Sequence, residues 1–150
     1  GHAIAGGCVL AMQADVRVMA PGDAKIGLNE VQLGVGLPTL VIESFRCQLP
    51  PASLNRVTLE GPLLSPDEAL RLGLVHEIGD FARAVALAES LARIPAPAYA
   101  QVKQALRRPA VEAMERRLEA DTREWLDVWF HPETRKRVLE TVQRLKEKRG

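Results

Sequence analysis

Aromatic residues are scarce in this chain: three Phe, two Trp and one Tyr make up only 4% of its 150 residues. Its core must therefore rest on aliphatic side chains, and each ring becomes a marked position. Cysteine is scarcer still. Cys8 and Cys47 lack the paired spacing of a zinc site or a redox dithiol, which excludes a disulfide framework. Both lie among apolar neighbours and read as buried thiols in a reducing compartment. His2, His76 and His131 make no ligand pair at helical spacing, so no metal site is expected. No charge of one sign dominates. The net charge of +1 gives no pull toward nucleic acid or an anionic membrane. GxGxxG and Gly-Lys-Ser/Thr are both missing, which excludes the common nucleotide loops. No Ser or Cys has a His at motif spacing for nucleophilic catalysis. The apolar opening has no basic leader and is broken by Gly6, Gly7 and Asp15, which argues against a signal peptide or a membrane span.

What is there fits one soluble globular domain: 47% apolar and 26% charged residues, at a length that can bury a core. Charge is unevenly spread. Residues 1–100 hold 7 positive and 10 negative groups, residues 101–150 hold 13 and 9. The basic tail reads either as a solvated helix face or as a partner for phosphate. The chain begins at Gly1 in mid-pattern and reads as a piece of something longer.

Residues 6–14 have no polar face and predict a short helix packed on all sides. "DVRVMA" (15–20) alternates and predicts a strand, followed by a turn at "PGD". "KIGL" (25–28) is a short extended piece, and 29–38 is a loop or broken strand. Helices are expected over 39–49, over 52–61 with Gly61 as the stop, and over 65–73. In the last, Ser65 caps, Pro66 opens, Asp67 and Glu68 suit the positive end and Gly73 terminates. "LVHEI" (74–78) reads as a strand. Beyond it the chain is helical: 81–93, 98–107, 110–130 and a last helix from Pro132 with Val138, Val142 and Leu145 inward. Val111, Met114, Leu118, Trp125 and Trp129 form one apolar stripe. The expected class is α/β over residues 1–80 and all-helical over 81–150.

Few polar groups sit in apolar company. Glu30 is the outstanding one, flanked by Ile26, Leu28, Val31 and Leu33. Lost hydration raises a carboxyl pKa and suits it to proton transfer near neutral pH. The other reading is an exposed loop glutamate. Asp15, between a helix and a strand, reads as a structural hydrogen-bonding group. Gly6 and Gly7 open a helix, where unpaired amides stabilise a developing oxyanion. Close helix packing is the alternative use for two glycines there.

Three ordered blocks, "GHAIAGGCVLAMQADVRVMA", "AKIGLNEVQLGVGLP" and "LLSPDEALRLGLVHEI", together resemble the enoyl-CoA hydratase/isomerase (crotonase) family. "HPETRKRVLETVQRLKEKRG" is similar to that family's last helix. The resemblance implies stacked βαβ turns in a spiral, followed by helices used in trimer assembly. It also implies stabilisation of a thioester enolate by two backbone amides. One comes from the middle of the small-residue triplet Ala5-Gly6-Gly7, hence Gly6, with Ala5 standing where Gly is commoner. The other belongs to a loop outside this sequence. Hydratases of the family carry two glutamates, and here the first position is Val9 while the second is kept as Glu30. The hydratase segment "PGAGGTQRL" is likewise replaced, by "VGLPTLVIESFRCQL".

A single glutamate resembles the Δ3,Δ2-enoyl-CoA isomerases of fatty-acid oxidation. The resemblance thus implies Glu30 as proton shuttle, Gly6 as half of an oxyanion hole, and Ala5, Gly7, Val9, Leu33 and Val35 around the acyl group. No cofactor is expected, since coenzyme A is part of the substrate. The partners expected are an acyl-CoA and further copies in a trimer or dimer of trimers, with Lys146, Lys148 or Arg149 near the coenzyme A phosphates. A bacterial cytoplasm or a mitochondrial matrix is the implied location. Two rivals stay open: another acyl-CoA enzyme of the family such as a hydratase, which Val9 opposes, and a non-catalytic fragment or assembly subunit.

Overall fold

A computed structural model describes residues 1–147. Lys148 and Arg149, expected near the coenzyme A phosphates, lie outside the described residues. Strand β1 is only Ala3–Ile4 and leads into helix α1, Gly6–Ala11. Strand β2, Val18–Met19, and strand β3, Ile26–Gly27, follow. β1 pairs in parallel with β3, Ala3 opposite Ile26 and Ile4 opposite Gly27. The Ala3 and Ala5 N–H groups extend this ladder to Lys25 O (2.8 Å) and Gly27 O (2.9 Å). The opening stretch thus contains a strand that its small residues did not announce. The expected strands at 15–20 and 25–28 exist but shrink to two residues each.

Residues 29–38, expected as irregular, contain a 3-10 turn over Glu30–Leu33. Helix α2 is Thr39–Arg46. Helix α3, Pro51–Asn55, runs on as a π-helical turn through Arg56–Glu60 and stops at Gly61 in the left-handed region, φ 63°. Helix α4, Pro66–Leu72, has the expected ends. Ser65 and Glu68 form a reciprocal capping box, and Gly73 closes the helix at φ 81°. Strand β4 is Glu77–Ile78 and pairs in parallel with β2. The rest of "LVHEI" is not strand, because Leu74 and Val75 plug the core instead.

Helix α5 spans Phe81–Ala92, and helix α6 runs unbroken over Ala96–Phe130. The two helices expected at 98–107 and 110–130 are therefore one. Pro109 lacks an N–H and its ring crowds the carbonyl four residues back, yet the helix continues through it. Packing decides this, since Ala110, next to the proline, is buried. Helix α7 is Pro132–Glu147. Val138 is half-buried, but Val142 and Leu145 are exposed, contrary to expectation. The core is aliphatic, as the scarcity of rings requires. Met12, Leu28, Val57, Leu64 and Leu74 pack with Cys8 and a single aromatic, Phe45. Cys47 is exposed, so only one of the two thiols is buried. No described helix is long and apolar enough to cross a membrane.

Asp15 joins the two halves. Its carboxylate accepts hydrogen bonds from Tyr99 Oη (2.7 Å), Lys103 Nζ (2.6 Å) and Arg107 Nη2 (2.8 Å), all on α6. Partial burial pulls its pKa up, but the bonds from Lys103, Tyr99 and Arg107 outweigh burial and hold it at about 2. A depressed carboxyl contributes stability at pH above its unfolded value, lost as pH falls toward the folded one. Asp15→Asn is expected to lower unfolding stability at pH 7 by on the order of 2 kcal/mol. The urea midpoint of the variant should also lose part of its decline below pH 4, which acid titrations of both proteins can compare.

Candidate functional site

Gly6 follows the end of β1 after one residue, and Glu30 follows the end of β3 after two. Because the two strands are parallel and in register, both residues lie beyond the same carboxyl ends. That is where ligands bind in open α/β sheets.

Glu30 is half-buried, and its Oε2 is fully buried without a hydrogen-bond partner. Burial pushes its pKa up, and the opposing bond from its own backbone amide only partly offsets this. The exposed-loop reading of this residue is therefore excluded. Gly34 N–H donates to Val31 O and Val35 N–H to Glu30 O, both at 3.0 Å, and Gln32 Nε2 donates to Glu60 O at 2.9 Å. The turn carrying Glu30 is thus pinned on its own backbone and on the end of the π-helical turn.

The entrance to α1 is strained. Ala5 adopts φ 53°, ψ −123°, and is the one non-glycine with positive φ among the described residues. Such a conformation costs an alanine about 1–3 kcal/mol. It reverses the chain sharply enough that α1 starts at the next residue. The first helical bond runs from Val9 N–H to Ala5 O, 3.0 Å. The Gly6 and Gly7 amides precede it and have no partner four residues back within the helix. A Cβ placed on either glycine meets nothing within 4 Å. Among the described residues nothing packs closely against either glycine. Open space faces them.

Around this pair the walls are apolar. Cys8 is fully buried, its thiol pushed up to about 12 by burial first and then by the Glu30 charge, so it stays neutral. Val9 packs against the core from α1 and lines an apolar trench between α1, α2 and α6. Val35 is buried behind the Glu30 turn. Leu33 is placed elsewhere, in a depression against α7 beside Thr141 and Arg144. The structure thus brings Ala5, Gly6, Gly7, Val9, Glu30 and Val35 around the strand ends and sends Leu33 to their outer side.

Two glycines set the height of the Glu30 turn. A Cβ on Gly27 would lie far inside the radius of Pro62 O. Here Ile26 and Leu64 exchange backbone bonds of 3.1 and 2.8 Å, drawing the 62–64 segment over β3. A Cβ on Gly61 would fall 2.8 Å from Val31 Cγ1 and 2.9 Å from Leu28 O. The C-terminal helices grip the other side. Trp125 Nε1 donates to Gly36 O at 2.7 Å and Thr134 Oγ1 to Gly34 O at 2.9 Å. Trp125 also stacks on Trp129, centroids 5.5 Å apart. Sequence reasoning missed both loop anchors, although an indole N–H within an apolar stripe is a signal for a buried acceptor.

The architecture is the crotonase-like α/β fold. The structure of human mitochondrial Δ3-Δ2-enoyl-CoA isomerase superimposes with a TM-score of 0.93 at 26% identity, over all of this chain and 60% of that one. An enoyl-CoA hydratase from Mycobacterium marinum gives 0.75 at 26% identity, over 83% and 57%. The family pattern of enoyl-CoA hydratase/isomerase matches residues 1–150, and the chain belongs to that family. Mitochondrial enoyl-CoA delta isomerase 1 of rat is 28% identical across the whole chain and 54% of that protein. The (E)-benzylidenesuccinyl-CoA hydratase of Thauera aromatica is 32% identical over 74% of this chain and 43% of its own. The chain spans about half the length of the curated relatives it matches.

Gly27→Ala must displace the Pro62 backbone or the Glu30 turn. It is expected to cost at least about 3 kcal/mol, in the range of severe steric substitutions. The check is the urea midpoint beside that of Gly7→Ala, whose Cβ meets nothing within 4 Å and whose φ is not in the left-handed region.

Proposed function

We propose that the whole protein isomerises 3-enoyl-CoA thioesters to 2-enoyl-CoA thioesters, with Glu30 as the sole proton shuttle. The observation that carries this reading is the buried, unpartnered Oε2 of Glu30 at the carboxyl end of β3, with no second carboxylate on α1. The Glu30 carboxylate takes a proton from C2. The electron pair moves into the thioester carbonyl, giving a dienolate whose oxygen accepts from the Gly6 N–H and from an amide outside this sequence. Protonated Glu30 then returns the proton to C4, leaving the double bond between C2 and C3. Atoms balance without water, and apolar Cys8, Val9 and Val35 keep water away. The likeness to the isomerases spans the full chain and supports this reading. Hydration needs a second acid/base group, and Val9 offers none.

By the same reading the protein works as a trimer or dimer of trimers. Phe81, Leu106, Leu118 and Phe130 are exposed on the helical part, a load of apolar surface suited to neighbouring copies. Lys146 is solvent-exposed on α7, where a coenzyme A phosphate can meet it.

In the full-length protein Glu30→Gln keeps shape and removes the shuttle. Isomerisation of a 3-enoyl-CoA is expected to fall roughly 10²–10⁴-fold with KM little changed. In the unmodified enzyme, kcat should drop as pH falls, with a midpoint above the ordinary glutamate value, because the base must be ionised and burial raises its pKa. Near-normal turnover by the Gln variant removes the assignment. Val9→Glu restores a carboxylate where hydratases carry one, and water addition to a 2-enoyl-CoA, followed by loss of enoyl absorbance, is the expected gain.

A further inference from the structure

A cavity of about 560 Å³ lies between the segment that joins α1 to β2 and the first half of α6. Gly6, Val9 and Glu30 do not line it, so it is separate from the candidate site. Its volume falls among small-molecule sites, which run from about 300 to 1,000 Å³. Its most buried lining residue is Arg17, 5% exposed. Arginine is seldom so buried without a carboxylate. Here Nε donates to Leu74 O (2.5 Å), and Nη1 donates to Ala14 O (2.7 Å) and to Gln48 Oε1. All three acceptors are neutral. They fix the guanidinium plane and leave its charge without an ion pair among the described residues. Nη2 has no hydrogen bond among those residues either. Yet it is not sealed in, since Glu30 Oε2 is the one fully enclosed, unpartnered side-chain N or O atom among them. Nη2 is therefore open at the cavity that Arg17 lines.

Helix α6 supplies the facing wall in two rows, each stepping by four residues. Tyr99, Lys103 and Arg107 form a polar row, already bonded to Asp15. Ala98, Val102 and Leu106 form an apolar row beside it. The lining holds three cations, Arg17, Lys103 and Arg107, against the one carboxylate of Asp15. We propose that this cavity binds a small amphipathic carboxylate, its head on Arg17 Nη2 and its aliphatic tail along Ala98, Val102 and Leu106. From 98 to 106 is roughly 12 Å of helix, which suits a tail of medium length. The head supplies the charged acceptor that Arg17 lacks, and the tail covers aliphatic side chains that otherwise face water. Inorganic phosphate offers only the first gain, and a neutral alcohol only the second. Bound there, the ligand ties Arg17 to α6 across the joint that Asp15 already bridges.

The test is isothermal titration of the full-length protein with octanoate, 1-octanol and inorganic phosphate. Octanoate is expected to bind at least about tenfold more tightly than either of the others, the worth of one charge-assisted hydrogen bond. Val102→Glu changes a 53% exposed position, so the fold tolerates it, and puts a carboxylate on the apolar row. Octanoate affinity should fall about tenfold in that variant. Arg17→Gln should erase the preference for octanoate over octanol. Where thermal unfolding shows that this buried substitution does not fold, Val102→Glu decides alone. Saturating 2-enoyl-CoA should leave octanoate affinity unchanged. Displacement of octanoate by 2-enoyl-CoA overturns the proposal, since the carboxylate then sits in the candidate site. Octanol or phosphate binding as tightly as octanoate, or unchanged affinity in Val102→Glu, overturns it too. So does an absence of octanoate binding, the result expected if a neighbouring copy seats over Leu106.

Discussion

Four residues of parallel strand hold this molecule's candidate site in register. The pairing of Ala3–Ile4 with Ile26–Gly27 fixes where two chain segments leave the sheet, one turning into α1 and the other into the Glu30 turn. A pair so short would be marginal alone. It persists because the 62–64 segment is drawn across β3 at a distance only glycine at 27 permits. The site's geometry is thus a property of backbone approach, and side chains fill in around it.

The site holds two local costs together. Ala5 is kept in a conformation that suits glycine, and Glu30 keeps a buried oxygen unpaired. Each is unfavourable alone and persists only where surroundings dictate it. Those surroundings are supplied from a distance. The aliphatic core packs beneath α1, the π-helical turn supplies the Glu60 carbonyl that Gln32 bonds, and Trp125 and Thr134 hold the segment after Glu30. Asp15 in turn fastens the start of α6 to the end of the first βα unit.

Much of this was legible in the sequence. Cap chemistry at Ser65, Glu68 and Gly73 is local, so α4 could be placed residue by residue. Glu30 stood out as a carboxylate among aliphatics, and its burial follows from that company. Gly6 and Gly7 announced a helix start with free amides. What was hidden depends on contacts far apart in sequence. β1 could not be read from Ala3 and Ile4, because its partner lies more than twenty residues on. Pro109 argued for two helices, and the burial of Ala110 overrides that local preference. Cys47 looked buried by its neighbours but falls at the exposed edge where α2 ends. Leu33 was expected around the acyl group on the family resemblance, yet it lies in a depression against α7.

The indole of Trp125 is bonded to the carbonyl of Gly36, six residues from Glu30, and it stacks on the only other tryptophan in the chain. The emission of this stacked pair is therefore an optical signal from the loop that follows Glu30. The loop after Glu30 and the seating of the C-terminal helices converge on Trp125. Folding of the helical half and ordering of the loop share one stacked indole pair, so this chain carries its own label at the joint between scaffold and candidate site.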